Sequence, residues 1–247
     1  MIWLFAGSGL TKLALAAGGA ALLSGPLNTA QTWVSGQSPY TPSAAAHLAS
    51  TTNVDQLPRL PAVGVIVDLE DWPLTPASQS QDPVGAYRRA AEVGRAYHQW
   101  LLATPATDLV RSVDPGYRGK IYPEFVRLRL AARIAPYASV YEIQAQGLER
   151  NPTLYRSFVA DVSQQVRMAH PGIAVLAGLS TNPGGHPVPA SVLERDIALT
   201  KGLVSGYWLN IPQAGKACPR CGQAHPEIAV RLLDAELKGS VSDREKG

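Results

Sequence analysis

Short apolar runs alternate with longer amphipathic segments along the chain from residue 60 onward. A run of β-branched and aliphatic residues predicts a buried strand, whereas apolar positions spaced three or four apart predict a helix packed on the sheet. Five such units are predicted, with strands at residues 60–70, 98–104, 139–146, 173–179 and 203–211 and helices at 85–93, 122–135, 153–169, 190–201 and 226–237. Strands that alternate with helices in this way pair in parallel through right-handed crossovers.

These strands are predicted to form a barrel rather than an open sheet. An open dinucleotide-binding sheet needs Gly-x-Gly-x-x-Gly after its first strand, where this chain has acids instead. Polar residues end nearly every predicted strand, as a ring of strands that meet at one mouth requires. One weaker unit within residues 25–57 leaves the number of units below eight. We therefore predict an α/β fold, a TIM-like (β/α) barrel over residues 31–238 that is reduced or irregular in its N-terminal part.

Both ends of the chain differ from the barrel in composition. Residues 1–23 are apolar apart from Ser8, Thr11 and Lys12, and residues 13–23 have the length of a signal-peptide core. This core is too short by itself to cross a bilayer, which takes ~20 apolar residues. We predict that residues 1–30 are a signal peptide or an N-terminal anchor of a secreted or cell-surface protein, with a cytosolic N-terminal helix as the alternative. The polar residues 239–247 are predicted to be a disordered tail.

The charge distribution excludes some partners. The formal net charge is only +3, and the arginines are spread along predicted helices rather than concentrated on one surface. Phosphate binding needs a concentrated basic surface, so we expect no nucleic-acid partner. No membrane contact is expected beyond the possible N-terminal anchor.

The most informative stretch is the predicted strand that ends in Asp68 and Glu70. Side chains alternate along a strand, so these two acids share a face with Ile66 while residues 65, 67 and 69 share the other. Carboxylates at the C-terminal end of a barrel strand are costly to bury unless something uses or pairs them. One carboxyl can then remain protonated as an acid while the other stays ionised, as in many glycosidases. The alternative is that one pairs with an arginine or caps the next loop.

A second polar face follows the strand at residues 139–146. Glu142, Gln144 and Gln146 lie on one face, where a sheet covered by helices would otherwise be apolar. We predict that Gln144 and Gln146 position a ligand or water near the mouth, or belong to a polar network that fills the barrel. Glu142 lies deeper and is predicted to be the structural partner of a buried polar group.

Aromatic and amide side chains at other strand ends are candidate substrate-binding residues. Trp208 and Asn210 share a face and would supply a flat apolar wall and a hydrogen-bonding amide to a sugar ring, although core packing explains Trp208 equally well. Trp72 is predicted to stack on a sugar or to close the barrel end. Asn182 lines the mouth or forms a turn. Asp108 and His186 are weaker candidates of the same kind.

The two cysteines, Cys218 and Cys221, are followed by His225 and resemble half of a zinc site. A structural zinc site normally has four ligands, and no second pair is evident. In an exported protein we predict a local disulfide that pins the last βα loop, with a metal site and free thiols as alternatives. Five scattered histidines argue against a metal-dependent lyase or hydrolase, so no metal and no cofactor are predicted.

Four motifs, at residues 67–76, 142–147, 176–183 and 206–212, together resemble a group of uncharacterised exported bacterial (β/α)-barrel proteins, over about residues 60–235. A more distant likeness is to chitinase-type glycosidases, in which a barrel strand ends Asp-x-x-Asp-x-Asp-x-Glu. Asp68-Leu69-Glu70 matches the end of this motif, whereas Val63 and Ile66 occupy the places of its first two acids. The likeness implies that Glu70 is the acid and that Asp68 assists a substrate-borne nucleophile.

These observations predict a secreted glycoside-hydrolase-like enzyme that acts on a glycan or a related polar polymer. Glu70 is its predicted general acid/base, and Asp68 orients Glu70 or a substrate group. The alternative is a carbohydrate-binding or structural barrel without turnover.

Overall fold

The structure, a computed structural model, describes residues 1–215 and 218–244. Eight parallel strands pair in chain order, and the last also pairs with the first, so the sheet is a closed barrel. The strands are β1 (Ile2–Ala6), β2 (Thr32–Ser35), β3 (Ala46–Thr51), β4 (Gly64–Val67), β5 (Trp100–Ala103), β6 (Val140–Ile143), β7 (Ala174–Ser180) and β8 (Gly206–Asn210). The predicted TIM-like (β/α) barrel is confirmed.

Helices surround this barrel. They are α1 (Gly7–Leu15), α2 (Gly19–Ser24), α3 (Ala77–Gln81), α4 (Pro83–Ala96), α5 (Leu109–Val113), α6 (Ile121–Arg127), α7 (Leu130–Ile134), α8 (Pro152–Ala169), α9 (Ala190–Thr200) and α10 (Pro226–Arg244). Short 3-10 helices occupy Val54–Arg59, Ala135–Tyr137, Gln146–Leu148 and Pro183–Gly185. The single helix predicted at residues 122–135 is divided into α6 and α7, because Arg129 adopts a left-handed φ of 52° that an α-helix cannot continue through.

Strand alternation builds two apolar cores. Outward residues such as Val65 and Val67 of β4 join the large core between the barrel and the helices. Inward residues form a smaller core inside the barrel, made of Leu4, Leu48, Ile66, Leu102, Val140 and Leu176. The rings of Trp33 and Trp100 pack against this inner core with their centroids 5.5 Å apart. The barrel interior is therefore filled by side chains rather than open as a pore.

The N-terminal segment differs from its prediction. β1 pairs with both β2 and β8, so the barrel starts at residue 2 rather than at residue 31, and it is complete rather than reduced. A five-residue strand followed directly by an apolar helix gives one continuous apolar segment, which hides the boundary between them. The predicted irregularity is confirmed, because residues 36–45 join β2 to β3 without a helix.

The functions predicted for the two ends stay predictions. Cleavage at residue 30 would remove β1, α1 and α2 from the barrel. Across the described ranges, no helix combines the length and the apolarity needed to span a bilayer. At the other end, α10 continues to Arg244, so residues 239–244 are helical where a disordered tail was predicted. Residues 245–247 of that tail lie outside the described residues.

Candidate active site

The two acids after β4 lie at the mouth of the barrel. Ile66 belongs to the inner core and Leu69 to the outer one, so Asp68 and Glu70 point inward, as the alternation predicts. The backbone amide of Asp68 donates to the carbonyl of Thr51 at 2.9 Å, which extends the sheet pairing beyond β4. The hydroxyl of Tyr87 donates to the carbonyl of Val67 at 2.8 Å and ties α4 to this strand end.

Asp68 is held by hydrogen bonds from two neighbouring strands. Its Oδ1 accepts a bond of 2.6 Å from Thr104 Oγ1 and one of 3.0 Å from Gln144 Nε2. Gln144 Nε2 also donates to the carbonyl of Thr104 at 3.1 Å, so both donors are themselves fixed. The pKa of Asp68 is raised to about 6, because burial and the charge of Asp108 outweigh the bonds from Thr104 and Gln144, which favour the ionised form.

Glu70 has a different environment. No described residue stabilises its ionised carboxylate by a hydrogen bond, and its own backbone amide donates to Thr75 Oγ1 at 3.2 Å. Burial, together with the negative charges of Asp68 and Asp108, raises the pKa of Glu70 to about 8. At neutral pH the pair therefore consists of a protonated Glu70 and an ionised Asp68, which is the division of labour expected of an acid and its assisting carboxylate.

Asp108 forms a hydrogen bond with the loop that contains Glu70. Its Oδ1 accepts from the backbone amide of Asp71 at 3.1 Å, while Asp71 Oδ1 accepts from Ser112 Oγ at 2.7 Å. Burial raises the pKa of Asp108, whereas the Asp71 amide lowers it. Asp108 therefore contributes both geometry and negative charge to the acid pair.

The candidate substrate-binding residues fall into two groups. Gln144 and Gln146 follow β6 on the inward side, Trp208 packs against the inner core and Asn210 ends β8 on the same face. Gln144 contacts Asp68 directly, and Gln146 lies over Gly178, the residue that pairs with Trp208. Trp72 is half-buried in the loop after Glu70, and its Nε1 donates to Thr75 Oγ1 at 2.9 Å.

Asn182 does not belong to this group. It is fully buried, and its Nδ2 donates to the carbonyls of Cys221 at 2.8 Å and Gln223 at 2.9 Å. Its Oδ1 accepts from Thr181 Oγ1 at 3.0 Å. The side chain of Asn182 thus stabilises a loop by hydrogen bonds and does not line the mouth as predicted. His186 is exposed.

The loop that Asn182 holds contains a disulfide. Cys218 and Cys221 are bonded, with Cα atoms 5.4 Å apart, in the connection between β8 and α10. Asn182 attaches this connection to the one after β7, and the disulfide closes a short loop within the connection itself. Among the residues described, no cluster of three or more His, Cys, Asp or Glu side chains could hold a metal ion.

Sequence reasoning missed Thr104 and misjudged Glu142. Thr104 continues the inward alternation of Trp100 and Leu102 past β5, and this signal could have placed it beside Asp68. Glu142 was expected to be bonded to a buried polar group. The structure instead leaves both of its carboxyl oxygens without a hydrogen-bond partner in the described part of the chain, although the side chain is fully buried.

No protein-family model and no curated protein matches the chain. Among solved structures, it is similar to the catalytic domain of a family GH18 chitinase from the fern Peteris ryukyuensis, with a TM-score of 0.42 and 16% identity over 82% of this chain and 72% of that one. It is also similar to the PgaB (BpsB) glycoside hydrolase domain from Bordetella bronchiseptica, with a TM-score of 0.47 and 8% identity over 94% of this chain and 98% of that one. Since both TM-scores are below 0.5, neither likeness bears on the function of this chain.

Proposed function

We propose that the protein is a glycoside-hydrolase-like enzyme that acts on a glycan, with Glu70 as general acid/base and Asp68 as its assisting carboxylate. The observation that carries this proposal is the difference in environment between two adjacent inward acids. Glu70 is desolvated without hydrogen-bonding compensation, whereas Asp68 accepts bonds from Thr104 and Gln144.

In the proposed reaction, the protonated Glu70 gives its proton to the glycosidic oxygen as the bond to the sugar breaks. The ionised Asp68 stabilises positive charge that develops on the ring or orients the substrate group that attacks it. The resulting Glu70 carboxylate then takes a proton from the water that completes hydrolysis, which restores the starting state. The half-buried Trp208 and Asn210 supply an apolar wall and an amide at the same mouth, which suits a sugar ring.

We also propose that the protein acts outside the cytosol. The disulfide between Cys218 and Cys221 supports this location, because such bonds persist in oxidising compartments. The alternative function is a non-catalytic carbohydrate-binding or structural barrel. It is favoured by Val63 and Ile66, which replace two acids of the glycosidase motif.

Turnover by Glu70→Gln tests the enzymatic proposal. We expect hydrolysis of a panel of neutral and acidic glycans to fall by about 10²–10⁴-fold, the usual effect of losing a general acid, while glycan binding is retained. Asp71→Asn is the matched control, because Asp71 is an exposed neighbour in the same loop, and it should keep most of the activity. Unchanged turnover in Glu70→Gln would contradict the assignment, and a wild-type protein that is inert but retained on a glycan column would support the alternative.

A further inference from the structure

Glu142 is a buried acid whose place in the barrel has no structural explanation. It lies on β6, on the inward face that it shares with Val140. Its side chain is fully buried, and neither carboxyl oxygen has a hydrogen-bond partner among the described residues. A buried polar group without a partner destabilises the fold, and a charged one does so more strongly, so Glu142 is not there to stabilise the protein.

The side chain of Glu142 crosses the neighbouring strand at a glycine. β6 pairs with β7, and Gly178 of β7 stands opposite Trp208 of β8. A Cβ atom on Gly178 would come within 2.5 Å of Glu142 Oε1 and within 2.3 Å of Gln146 Nε2. The absence of a side chain at Gly178 is therefore what lets Glu142 and Gln146 lie across β7.

A second unpaired polar atom belongs to Trp208, the residue of β8 that pairs with the same glycine. The indole Nε1 of Trp208 is buried and has no acceptor in the described part of the chain. The unpaired carboxyl group and the unpaired N–H donor thus belong to residues of β6 and β8, the two strands on either side of Gly178. A hydroxyl group suits both, since it can accept from the indole and donate to, or accept from, the carboxyl.

The charge beside this floor is negative, because Asp68 is ionised at neutral pH whereas burial favours the neutral forms of Glu70 and Glu142. Asp68 and Glu70 raise the pKa of Glu142 beyond the effect of its burial, and no lysine or arginine contributes to the pKa of any of these three acids. The carboxylate of a uronic acid placed here would meet the negative charge of Asp68, without a compensating cation among the described residues. A neutral ring meets no such repulsion.

We propose that Glu142 and Trp208 Nε1 form a substrate-binding floor over Gly178, which binds a hydroxyl group of a sugar ring and selects an uncharged ring at this position. The inference deepens the proposed function and rests on it only in taking the ligand to be a glycan. Glu142 is then a specificity-determining residue rather than a structural one.

Binding and stability measured together test the floor. Wild type, Glu142→Leu, Glu142→Gln and Gly178→Ala are compared by affinity electrophoresis in neutral polysaccharides (chitin derivative, cellulose derivative, xylan, mannan, starch) and in two polyuronates (polygalacturonate and alginate). We expect wild type to be retarded by a neutral polymer and not by a polyuronate. Glu142→Leu and Gly178→Ala should weaken that binding by about tenfold or more, which corresponds to one lost hydrogen bond of about 1.4 kcal/mol. Glu142→Gln keeps a donor and an acceptor at this position, so it should bind the polymer about as well as wild type does.

Thermal unfolding separates this role from a structural one. Glu142→Leu should unfold at the same temperature as wild type or higher, because it removes a buried polar group that has no partner. Glu149→Gln is the matched control: Glu149 is a buried acid that accepts from the Ser180 amide at 2.5 Å, so its variant should leave glycan binding unchanged.

Two results with Glu142→Leu would overturn the inference: binding as strong as that of wild type, or a marked loss of thermal stability. Two results with wild type would overturn it as well: preferential binding to a polyuronate, or no binding to any neutral polymer. The readout is binding rather than turnover. A wild-type protein that binds a neutral glycan through Glu142 without hydrolysing it would therefore contradict the proposed enzymatic activity but still support the substrate-binding floor.

Discussion

At the scale of single residues, the candidate site depends on what each acid touches. The sequence alone predicts that Asp68 and Glu70 point inward, because side chains alternate between the two faces of any strand whatever its neighbours are. The hydrogen bond from Thr104 to Asp68 joins residues 36 positions apart and depends on the register between β4 and β5. The alternation past β5 indicates that Thr104 points inward, but its bond to Asp68 and the unpaired state of Glu142 depend on tertiary structure.

Thr104→Val tests how Asp68 is kept ionised. The change removes the 2.6 Å hydrogen bond to Asp68 Oδ1 while keeping a side chain of similar shape, so we expect the pKa of Asp68 to rise above about 6. The acid limb of the pH–rate profile should move to higher pH by the same amount. Ser112→Ala, which removes the hydrogen bond to Asp71 instead, is the control and should leave that limb in place. An unshifted acid limb in Thr104→Val would show that this bond does not tune Asp68.

At the scale of elements, the sequence predicts units with clear apolar runs and long helices, and it fails where elements are short or directly joined. The strands from β4 to β8 were all predicted within a few residues of their observed positions. β1 was not, because Ile2–Ala6 runs without a polar break into α1. The left-handed turn at Arg129 that separates α6 from α7 likewise carries no glycine to signal it.

Deletion of residues 1–6 tests whether β1 is part of the folded protein. Because β1 closes the barrel between β2 and β8, its loss would leave two unpaired strand edges, and we expect aggregation or loss of cooperative unfolding. Deletion of residues 239–247, at the end of α10, is the control and should have little effect. The measurements are circular dichroism during thermal unfolding and mass spectrometry of the N-terminus of the protein recovered from cells and from their medium. A folded, exported protein that begins near residue 31 would contradict the role given to β1 and support a cleaved signal peptide.

At the scale of the whole molecule, the closed barrel explains why several acids meet at one site and why their pKa values are raised. Eight strands direct their C-terminal ends to one mouth, so acids from β4 and β6 and from the loop after β5 meet although they are far apart in sequence. Burial by the surrounding strands raises the pKa of Asp68, Glu70 and Glu142 together. The sequence could predict that the polar residues at the ends of the strands converge. It could not predict which of their side chains lack a hydrogen-bond partner, because that depends on the packing of all eight strands.

The pH dependence of wild-type turnover tests the central claim most directly, namely that an ionised Asp68 works beside a protonated Glu70. The value of kcat/KM should rise with pH through about 6 as Asp68 loses its proton, and fall through about 8 as Glu70 loses its own. Because the two carboxyls interact, these limbs report the pair rather than either group alone. A bell-shaped profile with its maximum between the two limbs is the result this account predicts. A rate that stays flat from about pH 5 to about pH 9, or that is highest above pH 9, would contradict it.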